Sequence, residues 1–363
     1  MYFLSKFNKH KWRLSIITCI IGMILTVVLS QPAIPNQPTT RDKFLWPFSS
    51  TSIWNMPIGS GARYVRANIQ KAGRIRPDHE YFYKIKATDP NRPVYAPGSW
   101  TNRCSGTRFM NLFLPIPDDL IVPDATIKPY NTPNNASAFL MPDGKTLVQL
   151  EPLARCTKGG SIYGWRYYPN IDIYGEGIGG AHFGSGLSSI GGSIRKGELT
   201  GSQPIRHAIK LLIWGKKYLY YSPTIPGYRW PADRSDKDAA TNYGGTNPAL
   251  VQGSLLAILP SATEASLQLK TPAGKKLFHA LQDYGGYIVD GAGWDAHYIA
   301  MEKGVSDEFR QTYGYNFGAS DGVFYEDVTK LFQSLYIVDN NSPNSIGGGG
   351  SKRRAPLAPP IGN

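Results

Sequence analysis

Cysteine is nearly absent from this chain: there are three in 363 residues, none in a C-x-x-C pair and none with a histidine at ligand spacing. A structural zinc site is excluded, because it needs thiolate and imidazole pairs at short, regular separations. Charge is sparse as well, at 18% of residues. With 39 glycines, 28 prolines and 12% aromatics, it argues against a helical cytosolic protein and for a loop-rich, β-dominated extracellular one. Several common chemical motifs are missing. The run GIGGAHFGSG (177–186) has the glycines of a dinucleotide loop, but no βαβ unit surrounds it and no Lys-Ser/Thr pair closes it. Gly184-Ser185-Gly186 lacks the strand–turn–helix setting of a serine-hydrolase elbow, and Asp172 to Glu176 lacks EF-hand order. No period of an internal repeat is present. From these patterns no cofactor and no metal is expected.

What the chain does have begins at its N-terminus. Lys6, Lys9, Lys11 and Arg13 precede the uncharged run Leu14 to Ser30, the basic-then-apolar order of an export signal. Its length fits either a cleaved signal peptide or a retained membrane anchor over residues 1–30, and both place the following domain outside the cytoplasm. Cys19 lies inside that run, so Cys104 and Cys156 remain and could form one disulfide in an oxidising compartment. Residues 31–43 read as a Pro/Thr-rich linker, 44–340 as a β-sandwich domain and 341–363, rich in Gly and Pro, as a disordered tail. The net charge of +13 favours an anionic partner such as an acidic polysaccharide. Nucleic acid is not expected, because the chain is exported and has no basic helix or aromatic RNA-binding platform.

Short β-branched or aromatic runs punctuated by Pro, Gly and Asn fill the first half, and Asp143-Gly144 turns into the alternating strand Thr146 to Glu151. Ile205 to Trp214 and Tyr218 to Tyr221 read as an antiparallel pair, and Gly253 to Leu259 as a buried core strand. The last third adds helices. Thr271-Pro272 is a cap with a first-turn proline, and Leu277, Ala280, Leu281 and Tyr284 follow at helical spacing. Val328, Leu331, Phe332 and Leu335 define another amphipathic helix, and the tetrapeptide YIVD occurs twice as a strand, at 287–290 and 336–339.

The candidate site lies between Tyr174 and Lys210. Eight glycines between Gly175 and Gly192 frame His182, which reads as open to solvent. Arg195 and Glu198 stand three apart, with Arg206 and His207 on a following strand. If the two strands pair, Arg, Glu and His converge on one face. An arginine can orient a substrate carboxylate, and a histidine or carboxylate can move a proton near neutral pH. The expected roles are therefore proton transfer for His182 and His207, acid/base carboxylates for Glu198 and Glu151, and substrate charge recognition for Arg195 and Arg206. Tyr228 and Trp230, in GYRWPAD, are expected to stack on sugar rings.

The segments SIWNMPI (52–58), Asp143 to Glu151, GLSSIGGSIRKGEL with PIRHAIK, and ALQDYGGYIVD (280–290) together resemble a family of secreted bacterial proteins that is largely uncharacterised. The resemblance implies a mainly β fold, a jelly-roll-type β-sandwich with a few C-terminal helices. The Arg195-x-x-Glu198 strand facing a His-bearing strand is loosely similar to jelly-roll polysaccharide-active enzymes. The functional expectation is an exported carbohydrate-active protein that binds and cleaves an extracellular, acidic polysaccharide by lyase or hydrolase chemistry. The alternative is a non-catalytic cell-envelope protein or glycan-binding adhesin.

Overall fold

The structure, a computed structural model, describes residues 38–126 and 132–362. The expected signal or anchor and most of the linker lie outside the described residues, as does Cys19. No helix among the described residues is long and apolar enough to cross a membrane.

Fourteen strands follow in chain order: β1 (Tyr64–Arg66), β2 (Ile75–Lys84), β3 (Asn91–Tyr95), β4 (Phe109–Pro115), β5 (Ser137–Leu140), β6 (Thr146–Ala154), β7 (Ile162–Arg166), β8 (Ile171–Asp172), β9 (Gly179–His182), β10 (Ile209–Trp214), β11 (Leu255–Ile258), β12 (Gly286–Ala292), β13 (His297–Glu302) and β14 (Leu335–Val338). Twelve of them join in the order β1-β14-β11-β12-β10-β13-β2-β5-β6-β7-β3-β4, with β8 added on β6. The fold is thus mainly β, as expected. A jelly-roll sandwich is not confirmed. Jelly rolls are antiparallel, whereas β10 with β12, β13 with β2, β2 with β5, and β3 with β7 are parallel.

The central element is β2. Its residues 75–80 pair with β13 and its residues 81–84 with β5, so one ten-residue strand belongs to two halves of the sheet. Because side chains alternate along a strand, Asp78, Glu80 and Phe82 share one face, and all three are buried.

Long helices cover one side. The helix Pro272–Asp283 begins as its sequence dictates: the Thr271 hydroxyl accepts a hydrogen bond from the Gly274 N–H at 3.1 Å, and Pro272 occupies the first turn. It buries Leu277, Phe278 and Leu281 with Val328, Leu331 and Phe332 of the helix Gly322–Gln333 against β10, β11 and β14. A second core gathers Trp54, Tyr287 and Val289, and a third, under β3 to β7, gathers Val94, Leu114, Phe139 and Leu150.

Two local expectations change. Tyr218 to Tyr221 does not pair with β10; Gly215–Tyr218 is a helical turn, and β10 instead has β12 and β13 as neighbours. The glycine-rich end is not a disordered tail through residue 362. Arg353 donates to the carbonyls of Pro57 and Ile346, Arg354 pairs with Asp283 at 3.1 Å, and Arg41 bridges to Ile361. Composition missed this because much of the hold on the segment comes from side-chain and backbone hydrogen bonds to residues 57–63, with Ile346 and Ala355 packing on the core around Trp54.

Candidate functional site

A cleft of about 830 Å³ opens over the ends of β6, β10 and β12. Its floor is acidic. Glu151 comes from β6 and Asp290 from β12, each beside a strand irregularity: β6 carries an extra residue against β7 between Glu151 and Ala154, and β12 skips Val289 in its register with β10. Such bulges break the alternation and re-aim neighbouring side chains, which here brings both carboxylates to the cleft. Asp236 joins them from a loop, accepting a 2.6 Å hydrogen bond from the Tyr243 hydroxyl, which in turn accepts from Gln252 Nε2 at 2.9 Å. Asn134 Nδ2 donates to Asp290 Oδ2 at 2.7 Å, and the Phe183 N–H donates to Glu151. Gly184 leaves no room for a side chain, since a Cβ there would meet Asp290 at 2.3 Å.

Beneath the floor, His182 at the end of β9 is completely buried. Its Nε2 faces Asp78 Oδ2 at 3.6 Å and Glu80 Oε1 at 3.5 Å, and its Nδ1 faces Asp290 Oδ2 at 3.9 Å. These separations exceed hydrogen-bond length, and neither ring nitrogen has a partner. Glu80 is fully engaged, by Lys210 Nζ and the Ser193 hydroxyl, while Lys210 also donates to the carbonyls of Ser188 and Ser189.

The electrostatics follow from burial and crowding. Desolvation, reinforced by the neighbouring carboxylates, holds Glu151 and Asp290 well above the usual carboxylate range and raises Asp236. Glu80 is pushed up to about 8 by burial, against the opposing pull of Lys210, and burial lowers Lys210 in turn. The His182 imidazole is lowered by burial, which outweighs the opposing pull of Asp78, and the Lys210 charge adds to the lowering. Around His182 two groups bring their donor atoms within 4.8 Å of one another, close enough to share an ion, Asp78–Glu80–His182 and Glu151–His182–Asp290.

The walls differ in character. Trp165 lies directly across the β6–β7 ladder from Glu151 and stacks on Trp100, with ring centroids 6.4 Å apart and planes at 18°. The Cys104–Cys156 disulfide, one of the sequence alternatives, ties the Trp100 segment to the end of β6. Arg108, Lys216, Arg234 and Lys237 also line the cleft.

Of the residues singled out in the sequence, Glu151 stands in the cleft floor, and His182 touches the cluster from below rather than from solvent. Arg195, Glu198 and His207 do converge, but elsewhere. The Arg195 N–H donates to Glu198 Oε2 at 2.7 Å, His207 Nε2 meets the same oxygen at 3.1 Å, and Arg195 Nε pairs with Glu302 at 3.0 Å. Arg195 also donates to the Phe44 carbonyl and sits over the Phe82 ring. The three form a largely buried cluster, and none of them lines the cleft. Arg206, Tyr228 and Trp230 are also outside it. Tyr228 bridges to Gln252, and Trp230 packs on the core around Trp54. The sequence reading missed Asp78, Glu80, Lys210, Asp236, Tyr243 and Asp290. Lys210 carried a usable signal: a lysine inside the apolar run of β10 must find a buried carboxylate.

No protein-family model matches the chain, and no curated protein or solved structure matches it.

Proposed function

We propose that the protein is an exported enzyme that binds an acidic polysaccharide in this cleft and hydrolyses its glycosidic bonds at the acidic floor. One observation carries the reading: a single cleft combines a stacked tryptophan pair, four cationic side chains and four carboxylates, three of them, Glu151, Asp236 and Asp290, drawn from separate elements. Indole faces suit the apolar C–H faces of sugar rings, the cations suit uronate or sulfate groups along a chain, and glycoside hydrolysis uses paired carboxyl groups. In this reading Asp236, whose carboxylate form the Tyr243 hydroxyl favours by donating to it, takes the proton of the water that attacks the anomeric carbon. Glu151 or Asp290, kept protonated by burial, gives its proton to the departing glycosidic oxygen. Export is supported by the N-terminal basic-then-apolar sequence and by the disulfide, a bond that persists in oxidising compartments.

The test incubates the purified protein with acidic and neutral polysaccharides, following reducing ends and the ultraviolet absorbance of unsaturated products. Hydrolysis yields reducing ends from an acidic glycan without that absorbance. Growth of absorbance would replace hydrolysis by β-elimination. Binding without turnover would favour a glycan-binding envelope protein, and neither binding nor turnover across the panel would sink the proposal. Asp236→Asn, which keeps an oxygen facing Tyr243, should lower turnover by about 10²- to 10⁴-fold with an unchanged unfolding midpoint.

A further inference from the structure

The geometry points to a divalent-cation site of the transition series at Glu151, His182 and Asp290. The decisive feature is His182. It is wholly buried, both of its ring nitrogens lack partners, and it is surrounded by carboxylates. A buried polar group without a hydrogen bond is disfavoured and calls for an explanation, and an imidazole whose Nδ1 faces Asp290 at 3.9 Å, with donor atoms of His182, Glu151 and Asp290 all within 4.8 Å of one another, is a metal-ligand arrangement. Of the two clusters that include His182, the one with Asp78 and Glu80 already holds a cation, because Lys210 sits on Glu80. The cluster with Glu151 and Asp290 has no cationic side chain in contact with either carboxylate among the described residues. Two of its three members open on the cleft, from which an ion could enter and to which it could present open coordination positions.

The size fits. Donor atoms separated by at most 4.8 Å place a central ion no more than about 2.8 Å from each. Small side-chain rotations would close that to bond lengths of about 2.0–2.2 Å. The donor set selects the class of ion. Calcium and magnesium take oxygen ligands, whereas an imidazole nitrogen with two carboxylates suits zinc or manganese. Asn134, donating to Asp290 Oδ2, and the Phe183 N–H, donating to Glu151, would orient the two carboxylates from outside the coordination shell. The inference goes beyond the glycan reading and stands whether or not a glycan is the substrate.

The experiment is calorimetric titration of chelator-treated full-length protein with Zn²⁺ and Mn²⁺, with Ca²⁺ and Mg²⁺ for comparison and no glycan present. One saturable site is expected for Zn²⁺ or Mn²⁺, at least tenfold tighter than for Ca²⁺ or Mg²⁺, and His182→Gln should weaken it about a hundredfold. Should that variant fail to fold, the d–d absorption of Co²⁺ added to the unaltered protein reports the same site, and Asp290→Asn should diminish it. Absence of a saturable site for all three transition ions, tighter binding of Ca²⁺ or Mg²⁺, or Zn²⁺ binding retained by folded His182→Gln would overturn the inference. Because the readout is metal binding, its failure leaves the glycan assay untouched, and the reverse also holds.

Discussion

His297 should make this protein acid-sensitive, and the effect can be worked from its surroundings. The side chain is buried on β13, stacked on Phe332 with ring centroids 4.6 Å apart and planes at 16°. Its Nε2 lies 3.0 Å from the Gln70 carbonyl, so that nitrogen carries the proton and donates, and Nδ1 is left without a partner. Burial lowers its pKa from 6.5 to about 4. Above pH 6.5 the imidazole is neutral in both folded and unfolded chains and stability does not depend on it. Below pH 6.5 the unfolded chain binds a proton that the folded chain refuses, so stability falls as pH falls, and the loss levels off below the folded value. With 1.36 kcal/mol per unit, this one group removes about 1 kcal/mol at pH 5.5 and about 3 kcal/mol at pH 4. His79 and His182 are shifted the same way, so the whole acid limb is steeper than His297 alone makes it, and a difference measurement is needed. His297→Phe keeps the stack on Phe332 and loses one hydrogen bond, costing about 1 kcal/mol at pH 7.5. Urea unfolding followed by tryptophan fluorescence at pH 7.5, 5.5 and 4 gives the comparison. The variant should be the less stable protein at pH 7.5 and the more stable one at pH 4. A difference that stays constant across that range would refute the reasoning.

Three further outcomes are expected. Cys104 and Cys156 are 52 positions apart, and the loop-closure entropy for a crosslink of that span is about 4 kcal/mol; Cys104→Ser with Cys156→Ser should lower the urea midpoint accordingly, and an unchanged midpoint would count against the pairing. Trp165→Ala removes one member of the stacked pair and should weaken glycan binding at least tenfold in calorimetry while leaving the far-ultraviolet circular dichroism intact. Glu198→Gln tests the Arg195–Glu198–His207 cluster. Burial works against charge on His207, but Glu198 outweighs it and the pKa is raised, so the stabilisation is fully present below pH 6.5 and is lost as pH rises through the folded value. The variant should therefore lose more stability at pH 6 than at pH 8.5, with glycan turnover unaffected; lost turnover in a folded variant would return these residues to the active site.

Local elements were legible in the sequence because their signals are local. Thr271-Pro272 and the spacing of Leu277 and Leu281 suffice for a capped helix, and the two YIVD runs are strands because four consecutive residues with two β-branched members favour little else. Pairing was not legible. The neighbours of β10 are β12 and β13, more than seventy residues on, and nothing in IKLLIW names them. The site shared that fate. The reading from Tyr174 to Lys210 found His182 because histidine is chemically conspicuous, and it found Arg195, Glu198 and His207 because they lie close together along the chain. Proximity in sequence marked a cluster away from the cleft, whereas the cleft is built from Glu151, Asp236 and Asp290, which no short window contains. The glycines were informative for a different reason than flexibility. A Cβ on Gly192, at φ +74°, would strike the Trp54 ring at 2.5 Å, so much of that run is close packing.

The charges inside the sheet argue that the cleft is more than a packing accident. Asp78 and Glu80 sit on the half of β2 that pairs with β13, and Lys210, their compensating cation, comes from β10 on the far side of β13. Apolar residues of similar volume would fill the same space with equal or greater stability, since a buried ion pair rarely repays its desolvation. Packing alone therefore gives no reason for a lysine, a partnerless histidine and the carboxylates of Asp78, Glu80, Glu151 and Asp290 to share one buried region. Stability would be better served by removing them. Their position at the base of the cleft, beneath a tryptophan pair fixed by the disulfide segment, gives the reason: the same β2 that joins the two halves of the sheet carries charge to the place where a ligand can reach it.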